Sequence, residues 1–180
     1  MALIGKGVEY ALHCLTYLVQ VPGQSLSVSD IAEFQGVSPT YLAKVFGRLK
    51  RAGIVRSSRG VRGGFELARP ARKITFWDVA VAVEGELSVF QCHDIRNRCI
   101  LKENGKENGG TGDCSGPNPI KPALEMCTIH RTMVEAERQI EGYLRTKTLE
   151  WLTRVLTQTV PPDAVQRGVE WFENAGKRRR

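Results

Sequence analysis

One helix in this chain has its start and stop written into the sequence. Ser38 offers a side-chain acceptor to a first turn, Pro39 sits where a missing N–H costs nothing, and Gly53 stands where the helix must end. Between these marks Leu42, Val45, Phe46 and Leu49 recur at helical spacing and predict a core-facing stripe up to about Arg51. A shorter helix is expected just before it. Ser27-Val28-Ser29-Asp30 has capping-box form, Ile31, Ala32 and Phe34 follow, and Gly36-Val37 makes the turn. Beyond Gly53, Ile54–Ser57 and Phe65–Ala68 read as short strands. The seven residues Ser58-Arg59-Gly60-Val61-Arg62-Gly63-Gly64 between them are too long for a two-residue hairpin and suit an exposed loop. Two helices across a tight turn, then a strand pair with a glycine-rich loop, predict a winged helix-turn-helix.

The charge pattern agrees. The 180-residue chain has a formal charge of +7, and Ser38 to Lys73 alone holds ten basic residues against the single acid Glu66, a net +9 that leaves −2 for the rest. Such a concentrated excess is the electrostatic footprint of a module that binds nucleic acid. No run of 18 or more apolar residues is present, so no membrane span is expected. Lys6, Glu9, His13 and Thr16 interrupt the apolar N-terminal stretch and no small-residue cleavage site follows, which argues against a signal peptide and for a cytoplasmic protein.

Elsewhere, Val8, Ala11, Leu12, Leu15, Leu18 and Val19 predict a helix over about 6–20, stopped by Pro22-Gly23. Thr75-Phe76-Trp77-Asp78 is a second capping-box form, opening a helix to about Val83. Lys102-Glu103-Asn104-Gly105 is repeated at once as Lys106-Glu107-Asn108-Gly109, inside a Gly/Pro-rich loop. A long helix is expected over about 123–144, another over 149–159 before Pro161-Pro162, and an amphipathic one over 163–174 ahead of a basic tail from Lys177 to Arg180. The fold is therefore mainly α with a small β wing. The expected division is a DNA-binding domain over 1–84, a cysteine-bearing loop over 85–121, helices over 122–160 whose dimerisation role is implied by the resemblance given below, and a C-terminal extension over 161–180.

Within the winged helix, the first turn of the second helix would face the major groove. Ser38, Pro39, Thr40 and Tyr41 lie there, with Lys44 and Arg48 one and two turns on along the same face. In the wing, Arg59 and Arg62 supply charge for phosphates or a minor groove, while Gly63 and Gly64 allow close backbone approach. The expected partner is double-stranded DNA, with no membrane and no small-molecule substrate. No nucleophile-elbow or H-E-x-x-H motif is present, and Cys92-His93 adjacency guarantees no useful geometry, so an enzyme is not expected.

The motifs Val8-Glu9-Tyr10-Ala11-Leu12-His13, Val37-Ser38-Pro39-Thr40-Tyr41-Leu42, Arg48 to Ser57, and Arg59-Gly60-Val61-Arg62-Gly63-Gly64-Phe65-Glu66-Leu67 through Pro70 resemble the Rrf2 family of bacterial transcription regulators, as do Ile74-Thr75 and Asp78-Val79. The resemblance covers roughly 1–90 and 122–158. It implies a homodimer held by the long helix after the cysteine region, bound to a two-fold-related operator.

Five cysteines in an expected cytoplasmic chain favour metal or redox chemistry over disulfides. Six residues separate Cys92 from Cys99, 14 separate Cys99 from Cys114, and 12 separate Cys114 from Cys127; no C-x2-C pair exists, so a zinc ribbon is a poor fit. The resemblance implies an iron–sulfur cluster, with two ligand sets open. In one, Cys92, Cys99 and Cys127 bind together with a ligand from elsewhere. In the other, which is preferred, Glu9 and His13 of one subunit meet Cys92 and Cys127 of its partner around a 2Fe-2S rather than a 4Fe-4S cluster, as in the redox-sensing RsrR type. Cys99 and Cys114 are then the less certain ligands. Read as residues alone, Glu9 and His13 also fit a surface helix pair, and Cys14 a small core residue. The function expected is cluster-dependent redox sensing by a transcriptional repressor. The alternative is a metal-free thiol-based regulator of the same fold.

Overall fold

The computed structural model describes residues 4–58, 60, 63–85, 87–88 and 128–178. Along these run α1 (Lys6–Gln20), α2 (Val28–Gln35), α3 (Pro39–Arg51), β1 (Val55–Ser58), β2 (Gly64–Leu67), a 3-10 turn (Ala71–Lys73), α4 (Phe76–Glu84), α5 (Thr128–Thr146), α6 (Leu149–Thr159) and α7 (Pro162–Arg178). The chain forms two compact units, Met1–Leu87 with Gly142–Arg180, and Ser88–Glu141.

In the first unit the helix signals act as anticipated. The Ser27 hydroxyl accepts from the Asp30 amide at 3.1 Å, and Gly36 closes α2 at φ +65°, a left-handed conformation that would cost a side chain strain. Ser38 caps α3, Pro39 occupies its first position, and Leu42, Val45, Phe46 and Leu49 are all buried. Thr75 and Asp78 complete a reciprocal capping box at 3.1 and 2.9 Å. Val8, Ala11, Leu15 and Leu18 of α1 run through the middle of the core.

β1 and β2 pair antiparallel from Val55↔Leu67 to Ser58↔Gly64. The ladder starts one residue later than anticipated, because Ile54 is fully buried in the core and takes a turn-closing bond from its amide to the Leu49 carbonyl. β2 gains an unforeseen neighbour. Leu26 exchanges both backbone bonds with Phe65, at 2.8 and 3.0 Å, tying the entry to α2 onto the wing's base. The 3-10 turn is a further element the sequence pattern did not announce.

α7 extends beyond the anticipated 163–174, so Lys177 and Arg178 belong to a helix and not to a tail. Phe172, 2% exposed, joins the core and packs on Tyr17 and Phe34 at ring separations of 5.1 and 4.9 Å. In the second unit the described structure is the portion of α5 up to Glu141, with Ser88 donating to Glu137 at 3.1 Å. α5 buries none of its residues. No helix among the described residues is long and apolar enough to cross a membrane.

Candidate nucleic-acid interface

α3 is held by one face and free on the other. Its buried stripe leaves Ser38, Pro39, Thr40 and Lys44 exposed, with the Ser38 hydroxyl accepting from the Tyr41 amide at 3.4 Å. The N-terminal turn is therefore a solvent-facing edge carrying hydroxyls, followed one turn later by a cation on the same face.

Tyr41 and Arg48 also engage neighbouring helices. Tyr41 is half-buried and turns back onto α1, with its ring edge-on to Tyr10 at 5.9 Å and the Lys6 ammonium 5.9 Å above it. A Cβ on Gly7 would lie 2.9 Å from the Tyr41 hydroxyl, so the bare glycine makes room for that contact. Sequence reasoning missed this because no local pattern relates residues about thirty apart. The Arg48 guanidinium donates to the Val83 carbonyl near the end of α4. Arg48 also lines a cleft of about 590 Å³ with Arg51, Arg69, Trp77, Asp78 and Arg145. Cations at the ends of α3 and α4 complement the partial negative charge of helix C-termini.

On the wing, Gly60 adopts φ +102° and its carbonyl accepts from the Gly63 amide at 2.8 Å. Gly63 and Gly64 are half-buried; Arg59 and Arg62 lie outside the described residues. Gly64 rests on the chain before α2, where a Cβ would overlap the Leu26 carbonyl and sit 3.0 Å from the Ser27 amide nitrogen. The excess charge is partly compensated here, since Arg56 faces Glu66 across the ladder at 2.9 Å. Lys50 donates to Ser57 at 2.6 Å.

Glu9 and His13 are both exposed on α1, one turn apart, and neither side chain has a hydrogen-bond or ion-pair partner among the described residues, although the His13 carbonyl accepts from the Thr16 hydroxyl at 2.7 Å. Two unengaged donors at this spacing fit a bidentate contribution to a metal group. They are only part of a site: no group of three His, Cys, Asp or Glu able to hold a metal occurs among the described residues. Cys92, Cys99, Cys114 and Cys127 lie outside the described residues. Cys14 is fully buried, and burial pushes its thiol up to about 12, which makes it a packing residue with little thiolate. Burial likewise raises the neighbouring Tyr17, assisted by Cys14 and opposed by a hydrogen bond from Gln35 at 2.8 Å.

The family model for Rrf2, an iron-dependent transcriptional regulator, matches residues 4–155. The chain belongs to the Rrf2 family. Among curated relatives, a protein described as the HTH-type transcriptional regulator YffB of Lactococcus lactis subsp. lactis is 34% identical over 104 residues, 57% of this chain and 67% of that protein. Two solved structures share the fold at 22% identity and a TM-score of 0.60. CymR, the global cysteine regulator of B. subtilis, matches over 86% of this chain and 98% of its own. IscR of T. potens matches over 88% and 90%. The winged helix anticipated from the Ser38–Gly53 helix and its strand pair is thus the fold of an Rrf2 transcriptional regulator.

Proposed function

We propose that this Rrf2-family chain is a cytoplasmic, homodimeric repressor that binds double-stranded operator DNA, its affinity set by an iron–sulfur cluster. The observation that carries the DNA reading is the exposed first turn of α3, backed by a buried stripe and followed by Lys44 on the same face. Ser38 and Thr40 present hydroxyls to base edges or phosphates, and Lys44 neutralises phosphate. Arg59 and Arg62, by their place in the sequence between the two strands, supply charge for phosphates or an adjacent minor groove, with Gly63 and Gly64 beside them. Tyr41 and Arg48 stay among the proposed DNA contacts, and their packing on α1 and bond to the Val83 carbonyl also help to position α3.

For the sensing half, a 2Fe-2S cluster is favoured over 4Fe-4S, with Glu9 and His13 of one subunit and Cys92 and Cys127 of the other as ligands. Cys99 and Cys114 stand as substitute ligands. Exposure and lack of competing partners at Glu9 and His13 support that assignment. Such a cluster, when bound, supplies a reversible one-electron change, and an imidazole in place of thiolate raises its potential.

The test is the anaerobic absorption and circular-dichroism spectrum of wild type beside Glu9→Ala, with iron and sulfide counts. Loss of the cluster in the variant is expected. An unchanged spectrum would replace this ligand set by the three cysteines Cys92, Cys99 and Cys127. A colourless, iron-free wild type would move the reading to a thiol-based regulator. Equal operator affinity of oxidised, reduced and apo protein in a mobility-shift titration would end the sensing proposal while leaving DNA binding in place.

A further inference from the structure

The matched family region ends at residue 155, and α7 lies wholly beyond it. α7 is nevertheless docked beside the helix-turn-helix. Its Trp171 and Phe172 rings lie 5.1 and 4.9 Å from Phe34, in the last turn of α2. Ser38 follows Phe34 by only four residues, so their Cα atoms lie within about 15 Å of each other. From the same side of α7, the Arg178 guanidinium reaches back over the Trp171 ring at 5.4 Å, and Lys177 is exposed beside it.

The two ends of α7 differ in charge state. At the N-terminal end Arg167 is paired with Asp163. At the C-terminal end Lys177 and Arg178 have no carboxylate partner among the described residues. The ring contacts hold Trp171, and with it the Arg178 guanidinium, beside the last turn of α2, and Lys177 is exposed next to Arg178 in sequence. A duplex entering at that turn presents phosphates on either side of its major groove.

We infer that Lys177 and Arg178 form a second DNA-contacting patch, which binds backbone phosphate flanking the segment met by α3. This rests on the DNA-binding reading above. The contact is sequence-independent, so its signature is salt dependence. Each phosphate neutralised adds about 0.9 to the slope of log K against log salt, so two contacts add about 1.8 per protomer. Over a fourfold rise from about 50 to 200 mM salt, that is a twelvefold difference.

The experiment measures fluorescence anisotropy of full-length protein with a duplex recovered by in vitro selection, over that salt range. Lys177→Gln/Arg178→Gln is expected to show a slope shallower by about 1.8 per protomer. Arg178→Lys keeps the charge and should retain the wild-type slope, as should Arg167→Gln at the opposite end of the helix. The inference is overturned if the double variant has the wild-type slope, or if Arg167→Gln lowers it equally. A double variant altered only in thermal stability would assign these cations to the helix C-terminus alone and also overturn it. Wild type that binds no duplex at low salt would instead remove the DNA-binding reading itself.

Discussion

Gly64 is where two explanations for one residue separate. Its place in an Arg/Gly-rich loop invites a role in close approach to DNA, yet the structure gives it an internal one. The Leu26 carbonyl occupies the space a Cβ would need, and that carbonyl accepts the Phe65 amide at 2.8 Å. The neighbour is backbone held in a bridge, so it cannot swing aside as a flexible side chain would. Gly64→Ala should therefore destabilise the fold by about 1–3 kcal/mol, the range for overpacking in a well-filled site. Urea denaturation followed by far-UV circular dichroism reads this directly. An unchanged midpoint and slope would show that the wing's base tolerates a methyl group, leaving the glycine to be explained by ligand approach.

Among the elements, α7 departs furthest from its sequence signal. Its apolar residues are few and its ends polar, so periodicity alone gives an amphipathic helix with no stated partner. The partner is an aromatic group assembled from Tyr17 of α1 and Phe34 of α2, residues far apart in sequence. Phe172→Ala would remove the centre of that group and should cost about 3–5 kcal/mol, as for other buried phenylalanines. For a chain of this size the melting temperature should fall by about 10 °C. A fall below a few degrees would mean that α7 rests on the core without supporting it. By contrast, α3 was legible to the residue because its boundaries are local chemistry: a hydroxyl cap, a proline at the first position and a left-handed glycine. The same distinction divides the candidate site. Exposure of Ser38, Thr40 and Lys44 follows from helical periodicity. The inward turn of Tyr41 and the bond from Arg48 to Val83 depend on tertiary neighbours that no local window contains.

For the whole molecule, the proposed reading of a two-fold operator requires two recognition helices at a fixed separation, and an exposed stripe on α5 is the surface expected to set it. Ile129, Met133, Ala136 and Ile140 follow at spacings of four, three and four residues, the repeat of a coiled-coil seam. None of these is buried within the chain, and Ile129 is 67% exposed. An isolated 19-residue helix with such a stripe gains little stability alone, and pairing with the same helix of a second copy would cover it by two-fold symmetry. Ile140→Glu places a carboxylate in each half of that seam, where charge is costly to bury. It should convert a dimer to a folded monomer near the chain mass of 20.0 kDa by sedimentation velocity. Operator affinity should fall with it, because the second half-site contact loses the effective concentration, up to about millimolar, that linkage supplies. The control is far-UV circular dichroism, which should change little because α5 buries nothing in the monomer core. A variant that remains a dimer with undiminished operator affinity would exclude this seam as the dimer contact and require another surface to set the half-site spacing.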